Sequence, residues 1–225
     1  PSTSLYDTPS DPRYYAATKG EVDAVKLSDG SRVSMIAGTE MTFTVTADAR
    51  TVDLAGGRAF FDVVSDKSKP FYVNTGARQI KVVGTRFEVV RASGFDRVAV
   101  REGLVSVAQI SSVNVAAPIL IEPGTVVRYD HNNIVPVLSQ EKPSAIGAWK
   151  DGVLVFKAEP LSVVMTKINK LFPGIELLLD NAALEETRFS GTLVVSDAET
   201  MVRQLANFLS LHVTVTNTKI TLANQ

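Results

Sequence analysis

The chain contains no cysteine in its 225 residues, and it has only two histidines and one tryptophan. Without cysteine there are no disulfides, no thiol nucleophiles and no thiolate metal sites. Lys and Arg are not clustered and the formal net charge is −1, which argues against nucleic acid or an anionic membrane surface as the main partner. No apolar run approaches the ~20 residues that a membrane-spanning helix needs. We therefore expect a soluble piece of protein that does not bind nucleic acid.

Motifs that carry catalysis or hold cofactors are also missing. His131 and His212 have none of the neighbours of a metalloprotease motif, and no serine lies in a nucleophile elbow. Gly56-Gly57 and Gly84-Thr85 stand between strand-like segments, whereas a phosphate-binding glycine loop leads into a helix. We expect no catalytic residue, no cofactor, no metal and no enzyme activity; a hydrolase is the least favoured alternative.

Alternation of apolar and polar residues extends from residue 14 to residue 138, with turn residues about every eight to twelve positions. Asp29-Gly30, between two such segments, is a strong hairpin signal. No segment in this region keeps a helical period. The pattern predicts an all-β domain of about ten short strands, either an antiparallel sandwich or a short solenoid. Its acidic residues, Glu88 and Asp96 among them, are expected on solvated strand faces.

A different pattern follows a polar stretch that contains Pro143 and Gly147. Residues 161–172 and 198–209 each place their apolar side chains on one helical stripe, and strand-like segments flank both. The order βαβ–βαββ predicts a compact α/β module. The chain is thus interpreted as a flexible segment at 1–13, an all-β domain at 14–138, a linker at 139–148 and a small α/β domain at 149–225.

The position of the apolar residues changes within one strand-like stretch, KVVGTRFEVV at 81–90. Ile80 and Val82 carry the alternation on even positions before it, and Phe87 carries it on odd positions afterwards. Gly84-Thr85 lies at the changeover. We interpret this pair as a structural bend, a bulge or a corner, at which Gly84 adopts a backbone conformation that is costly for a residue with a Cβ.

The strands of the α/β module are apolar on both faces. Val153, Val155, Leu178 and Val194 fall opposite the residues expected to pack on the helices. Two interpretations stay open: these strands are buried on both faces, or they form an exposed apolar surface for a partner, including one that adds a strand. Trp149, at the junction, is expected to anchor the two domains to each other rather than to contact a partner.

Several motifs resemble, in order, those of the FecR-type all-β domain. They are Gly20-Glu21, LSDGSRV (27–33), LAGGRAFFDV (54–63), PFYV (70–73), VVGTRFEV (82–89), VREGLVSV (100–107) and EPG (122–124). The C-terminal module is similar to the secretin/TonB short N-terminal (STN) domain. Together the two resemblances cover about residues 14–224.

The resemblance implies the periplasmic part of an anti-sigma regulator of the iron-siderophore, cell-surface signalling type. Its partner would be the N-terminal signalling domain of an outer-membrane TonB-dependent receptor. The sigma factor would be reached only through a cytoplasmic region absent from this chain, and the full-length protein would reside in the inner membrane. The alternative from the residues alone is a periplasmic carbohydrate- or peptidoglycan-binding module.

Overall fold

A computed structural model of the chain describes residues 10–17, 22–110, 117–132, 135–172 and 174–224. Within these residues, thirteen strands form one large sheet in the first part of the chain. They are β1 (Ser10–Ala16), β2 (Asp23–Lys26), β3 (Arg32–Met35), β4 (Glu40–Val45), β5 (Arg50–Asp62), β6 (Phe71–Asn74), β7 (Arg78–Val82), β8 (Arg86–Arg91), β9 (Phe95–Glu102), β10 (Val105–Gln109), β11 (Ile119–Ile121), β12 (Thr125–Asp130) and β13 (Val137–Gln140).

The long strand β5 joins the two halves of this curled sheet. Its first part pairs with β4 and, in parallel, with β6, and its second part pairs antiparallel with β3 and β8. The two halves share one apolar core, in which Phe43 stacks on Phe71, Phe61 stacks on Phe87, and Phe61 and Phe71 meet edge to face. Because strands pair by hydrogen bonds between distant segments, the parallel β5–β6 pair was not predictable from local alternation. The predicted all-β domain followed by a small α/β region is confirmed.

Gly84 and Thr85 lie where the chain passes from one half of the sheet to the other. β7 pairs with β6 and β10, whereas β8 pairs with β5 and β9. The expected reason for the glycine is wrong, because Gly84 does not have a positive φ. A Cβ there would instead lie 2.6 Å from the Cβ of Ser65, so the glycine is required for close packing. Thr85 is buried, and its hydroxyl has no hydrogen-bond partner among the described residues.

The C-terminal region follows the predicted order with one added helical turn. Its elements are β14 (Val153–Pro160), α1 (Leu161–Asn169), β15 (Glu176–Leu179), α2 (Ala182–Glu185), β16 (Arg188–Val194), α3 (Ala198–Leu209), β17 (His212–Val215) and β18 (Lys219–Ala223). They form a two-stranded sheet, β14–β16, and a three-stranded sheet, β15–β18–β17. The apolar stripes of α1 and α3 face a shared core, and the Asp197 side chain caps α3 by accepting from the Thr200 N–H.

The segments expected to be flexible or linking differ from expectation where they are described. β1 begins at Ser10, four residues before the expected start of the β domain, because pairing with β4 satisfies its backbone whatever its side chains. The expected linker contains the end of β13 and a short 3-10 helix, Pro143–Ala145, and a second one, Ala148–Asp151, begins at its last residue. Residues 1–9 and the Gly20-Glu21 motif lie outside the described residues. None of the described helices is long and apolar enough to cross a membrane.

Candidate partner-binding site

Three of the four predicted partner-binding residues lie together on the outer face of the β14–β16 sheet. Val153 is 41% exposed, Val155 60% and Val194 52%. Val153 and Val194 are directly opposite each other in the ladder. The alternate residues, Leu193 and Phe156, are buried in the helical core. We call the exposed side chains of Val153, Val155 and Val194 the valine face.

The hydrogen-bond pattern shows which backbone edge accompanies this face. The Val195 N–H donates to the Gly152 carbonyl at 2.9 Å, which makes Val153–Val194 a non-hydrogen-bonded pair of the antiparallel ladder. The main-chain groups of Val153, and by alternation those of Val155, therefore point away from β16. No strand among the described residues pairs with that edge of β14.

The opposite edge, on β16, is covered by a side chain. The Val194 N–H donates to Gln204 Oε1 at 3.0 Å, and Gln204 Nε2 donates to the Val194 carbonyl at 3.3 Å. Gln204 belongs to α3, so the helix occupies the outward main-chain groups of Val194, one of the positions that a further strand would use. Natural sheets protect their edges by such devices. The edge of β14 is therefore more accessible to a further strand than the edge of β16.

A bulge limits the open part of β14 to its first half. The register shifts between Phe156 and Glu159, and Ala158 adopts a left-handed conformation with φ of 48°. The Ala158 N–H donates to Ser190 Oγ at 2.8 Å, and Arg188 Nη1 donates to its carbonyl at 2.7 Å. These bonds hold the bulge, which leaves a regular stretch of about four residues for a partner.

Leu178, the fourth predicted residue, lies on the other sheet of the module. It belongs to β15 and pairs with Thr221 of β18, and it is only half-buried. Its neighbours Leu177 and Leu179 pack on the helical core. Sequence alternation placed Leu178 opposite them, but it could not show that β15 and β14 are in separate sheets.

Trp149 lies at the junction of the two regions. It is 3% exposed and belongs to an apolar cluster that continues from the outer face of the β sheet into the core of the α/β region. Phe60 and Ile146 are part of the same cluster. Gly147, with φ of 69°, packs so closely that a Cβ would lie 2.1 Å from a carbon of the Phe60 ring. The expected linker is therefore packed against the β domain.

A buried ionic network crosses this junction around Glu88. The Trp149 indole N–H donates to Glu88 Oε2, and Arg97 Nη1 donates to Glu88 Oε1. Arg58 Nη2 lies 3.2 Å from the same Oε1, and Arg97 Nη2 lies 2.9 Å from Glu141 Oε2. Two cations thus meet two carboxylates, so the charge inside the junction is balanced. We call these five residues the junction network.

Burial and charge act in opposite directions on Glu88. Burial by itself raises the pKa of this carboxyl, but Arg58, Arg97 and the indole N–H of Trp149 outweigh it and lower the pKa below its usual range. Burial also lowers the pKa of Arg58. The carboxylate is therefore held in its charged form by partners from both sides of the junction.

The expectation of solvated acidic residues was wrong for Glu88 and Asp96, which are 2% and 1% exposed. A charged residue at an outward strand position is ordinarily in water, so the alternation misassigned both. One signal was available in the adjacent pair Phe60-Phe61. Phe61 faces the β core, so Phe60 had to face outward, which indicates that the second face is covered too.

The two histidines lie in different regions of the described chain. His131 Nε2 lies 3.4 Å from Asp96 Oδ1 and is partly exposed. His212 lies in β17 and is exposed. The part of the chain that the structure describes contains no group of three or more potential metal ligands.

Comparisons with known proteins give a family-model match over part of the chain and a structural likeness. Residues 13–106 match the family model described as "FecR protein". Two crystal structures of a "putative anti-sigma factor from Parabacteroides distasonis ATCC 8503", at 2.50 and 1.65 Å, are similar to this chain at 26% sequence identity and a TM-score of 0.63. The likeness covers 95% of this chain and 99% of the other. No curated protein matches the sequence.

Proposed function

We propose that this chain, a FecR-like anti-sigma regulator by its family match and structural likeness, is the periplasmic signalling region of that regulator. In this proposal it binds the N-terminal signalling domain of an outer-membrane TonB-dependent siderophore receptor. In this proposal the C-terminal α/β region acts as an STN domain. A cytoplasmic region outside this chain then controls the sigma factor across the inner membrane, and the role requires no catalysis.

The open edge of β14 beside the valine face carries the proposal. A strand of the receptor domain can hydrogen-bond to the main-chain groups of Val153 and Val155, and its alternate side chains can cover the valines. Main-chain bonds supply affinity and the apolar face supplies selectivity. Because Gln204 occupies the main-chain groups of Val194 on β16, β14 is the edge that a partner strand would join.

The junction network gives a physical means of relay. Binding of a partner at β14 influences the β domain only if the α/β region and the β domain change together. A partner can shift the arrangement of these two regions only if it binds one arrangement more tightly than the other. β14 follows Trp149 after three residues, and Trp149 is bonded to Glu88 of β8. We therefore expect a movement at the start of β14 to disturb the buried hydrogen bond between Trp149 and Glu88.

Calorimetric titration of this chain with receptor N-terminal signalling domains tests the proposal. We expect Val155→Asp to weaken binding at least tenfold, because burial of a valine contributes about 1.5 kcal/mol or more and about 1.4 kcal/mol is a factor of ten. Leu178→Asp, on the other sheet, is expected to have a smaller effect. Leu120→Asp is the control, since Leu120 is 62% exposed in β11, far along the chain from this sheet.

The outcomes separate the surface from the function. If Val155→Asp binds like the parent chain while Leu178→Asp does not, the partner uses the three-stranded sheet. If no receptor domain binds, the proposed role is wrong. Retention on murein would then support the carbohydrate- or peptidoglycan-binding alternative, for which the described residues offer few exposed rings: only Tyr14 and Phe208 are among the exposed large apolar residues.

A further inference from the structure

A half-open cleft lies among strand ends of the β domain, whereas the valine face belongs to the α/β region. It has a volume of about 360 Å³ and is lined by the β6–β7 turn at 75–77, by Arg78 and Arg91, and by Gln109 and His131. These residues lie at or beside the ends of β6, β8, β10 and β12 and the start of β7. Neither the proposed partner nor the junction network uses them.

Arg78 is a buried cation without a carboxylate partner in the part of the chain that is described. It is 6% exposed, and its guanidinium stacks on the ring of Tyr129 at 4.2 Å. The similarly buried Arg50 and Arg58 each have a carboxylate oxygen, of Asp29 at 2.9 Å and of Glu88 at 3.2 Å. Buried charges are ordinarily paired, and stacking on a ring replaces only part of the lost hydration.

Arg91 brings a second guanidinium to the same cleft. Its Nη1 donates to the Leu54 carbonyl at 2.7 Å, and no carboxylate of the described residues forms an ion pair with it. Gly76 lies directly beside it, since a Cβ at Gly76 would be 3.1 Å from Arg91 Nη2. The glycine, with φ of 82°, keeps the space in front of the guanidinium free of a side chain.

The carboxylate next to the cleft, Asp96, has one hydrogen-bonded oxygen and one oxygen without a hydrogen-bond partner among the described residues. Asp96 Oδ2 accepts from the Thr75 hydroxyl at 2.8 Å, and Oδ1 faces His131 Nε2 at 3.4 Å. Asp96 is 1% exposed, so it lies behind the lining rather than in the opening. Two arginines therefore line a cleft whose described lining includes no carboxylate.

We propose that this cleft binds a small oxyanion, the carboxylate or phosphate group of a small molecule. Guanidinium groups suit such anions because their N–H donors match two oxygens at once. Arg78 supplies the desolvated charge, Arg91 supplies the second donor set, and Gly76 leaves room for the ligand. The inference does not depend on the proposed receptor binding.

Thermal unfolding with inorganic phosphate and, separately, with succinate tests this site at constant ionic strength set with NaCl. We expect a saturable rise in Tm with one or both anions, and NMR shifts of the Nε–Hε signals of Arg78 and Arg91. Arg91→Gln should lower the affinity of the protein for the anion at least tenfold. Arg86→Gln is the control, because Arg86 is an exposed arginine paired with Asp62 and Glu102, and it should keep the parent response.

The two anions distinguish the source of the ligand group, since a response to phosphate alone indicates a phosphate ligand and a response to succinate alone a carboxylate. Arg78→Met should leave Tm unchanged or higher without anion, because it removes a buried unpaired charge, and should abolish the rise with anion. Absence of any saturable response, or an equal response in Arg91→Gln and the parent, would overturn the proposal.

Discussion

Removal of the Glu88 carboxylate is the most informative perturbation of the junction. In Glu88→Ala the buried Arg58 and the partly buried Arg97 lose their common anion, and the Trp149 indole loses its acceptor. Breaking a buried ion pair by removal of one partner costs about 3–5 kcal/mol. Since whole domains have free energies of unfolding of about 5–15 kcal/mol, the variant should fold but should unfold at clearly lower urea concentration.

Trp149 makes the local consequence measurable. It is the single tryptophan of the chain, so its fluorescence reports on the junction while circular dichroism reports on the strands. We expect the emission of Glu88→Ala to shift toward that of exposed tryptophan in the absence of urea. Glu88→Gln keeps an acceptor for the indole and should lie between the parent and the alanine variant.

A matched control separates the junction from ordinary ion pairs on the same sheet. Asp62 pairs with Arg86 at 3.2 Å, but both side chains are about half exposed. Exposed pairs contribute about 0–1 kcal/mol, so Asp62→Ala should be nearly neutral. If Glu88→Ala costs no more than Asp62→Ala, the junction network does not stabilise the protein and the reasoning fails.

Three further predictions concern pH, packing and backbone strain. The Glu88 carboxyl takes up a proton near pH 4.3 in the unfolded chain, but its pKa is lower in the folded protein. The free energy of unfolding of the parent should therefore fall more steeply than that of Glu88→Gln as the pH falls through and below that range. Equal acid-unfolding profiles of the two proteins would contradict this. Gly84→Val should destabilise the β domain by about 1–3 kcal/mol in urea melts because it meets Ser65, whereas Gly94→Val, with open space around the Cβ, should cost less; equal costs would disprove the packing argument. Ala158→Gly should raise the free energy of unfolding by about 1 kcal/mol by relieving the left-handed backbone, and a loss of stability would show that no strain is stored there.

Local periodicity in the sequence was sufficient to predict the helices and strands that are formed by residues close together in the chain. The apolar stripe of 198–209 predicted α3, which is present. Alternation predicted the strands around Phe87 and Phe61. It also placed Val153, Val155 and Val194 on the face opposite the helical core, where the structure exposes them.

Features that depend on distant parts of the chain were not predictable. The burial of Glu88 requires Trp149, 61 positions later in the sequence, to cover the outer face of the sheet. The separation of Leu178 from the valine face depends on pairing between β15 and β18. The hydrogen bonds of Gln204 to the main chain of Val194 depend on how α3 packs against β16. None of these leaves a periodic trace in the sequence.

Amide hydrogen exchange of β14 tests the central claim most directly. In the free chain the N–H groups of Val153 and Val155 point to the open edge, while those of Leu154 and Phe156 point toward β16. If a receptor signalling domain adds a strand, exchange should slow at Val153 and Val155, with little change at Leu154 and Phe156. Protection confined to β15, β17 and β18, with none at Val153 and Val155, would contradict the account.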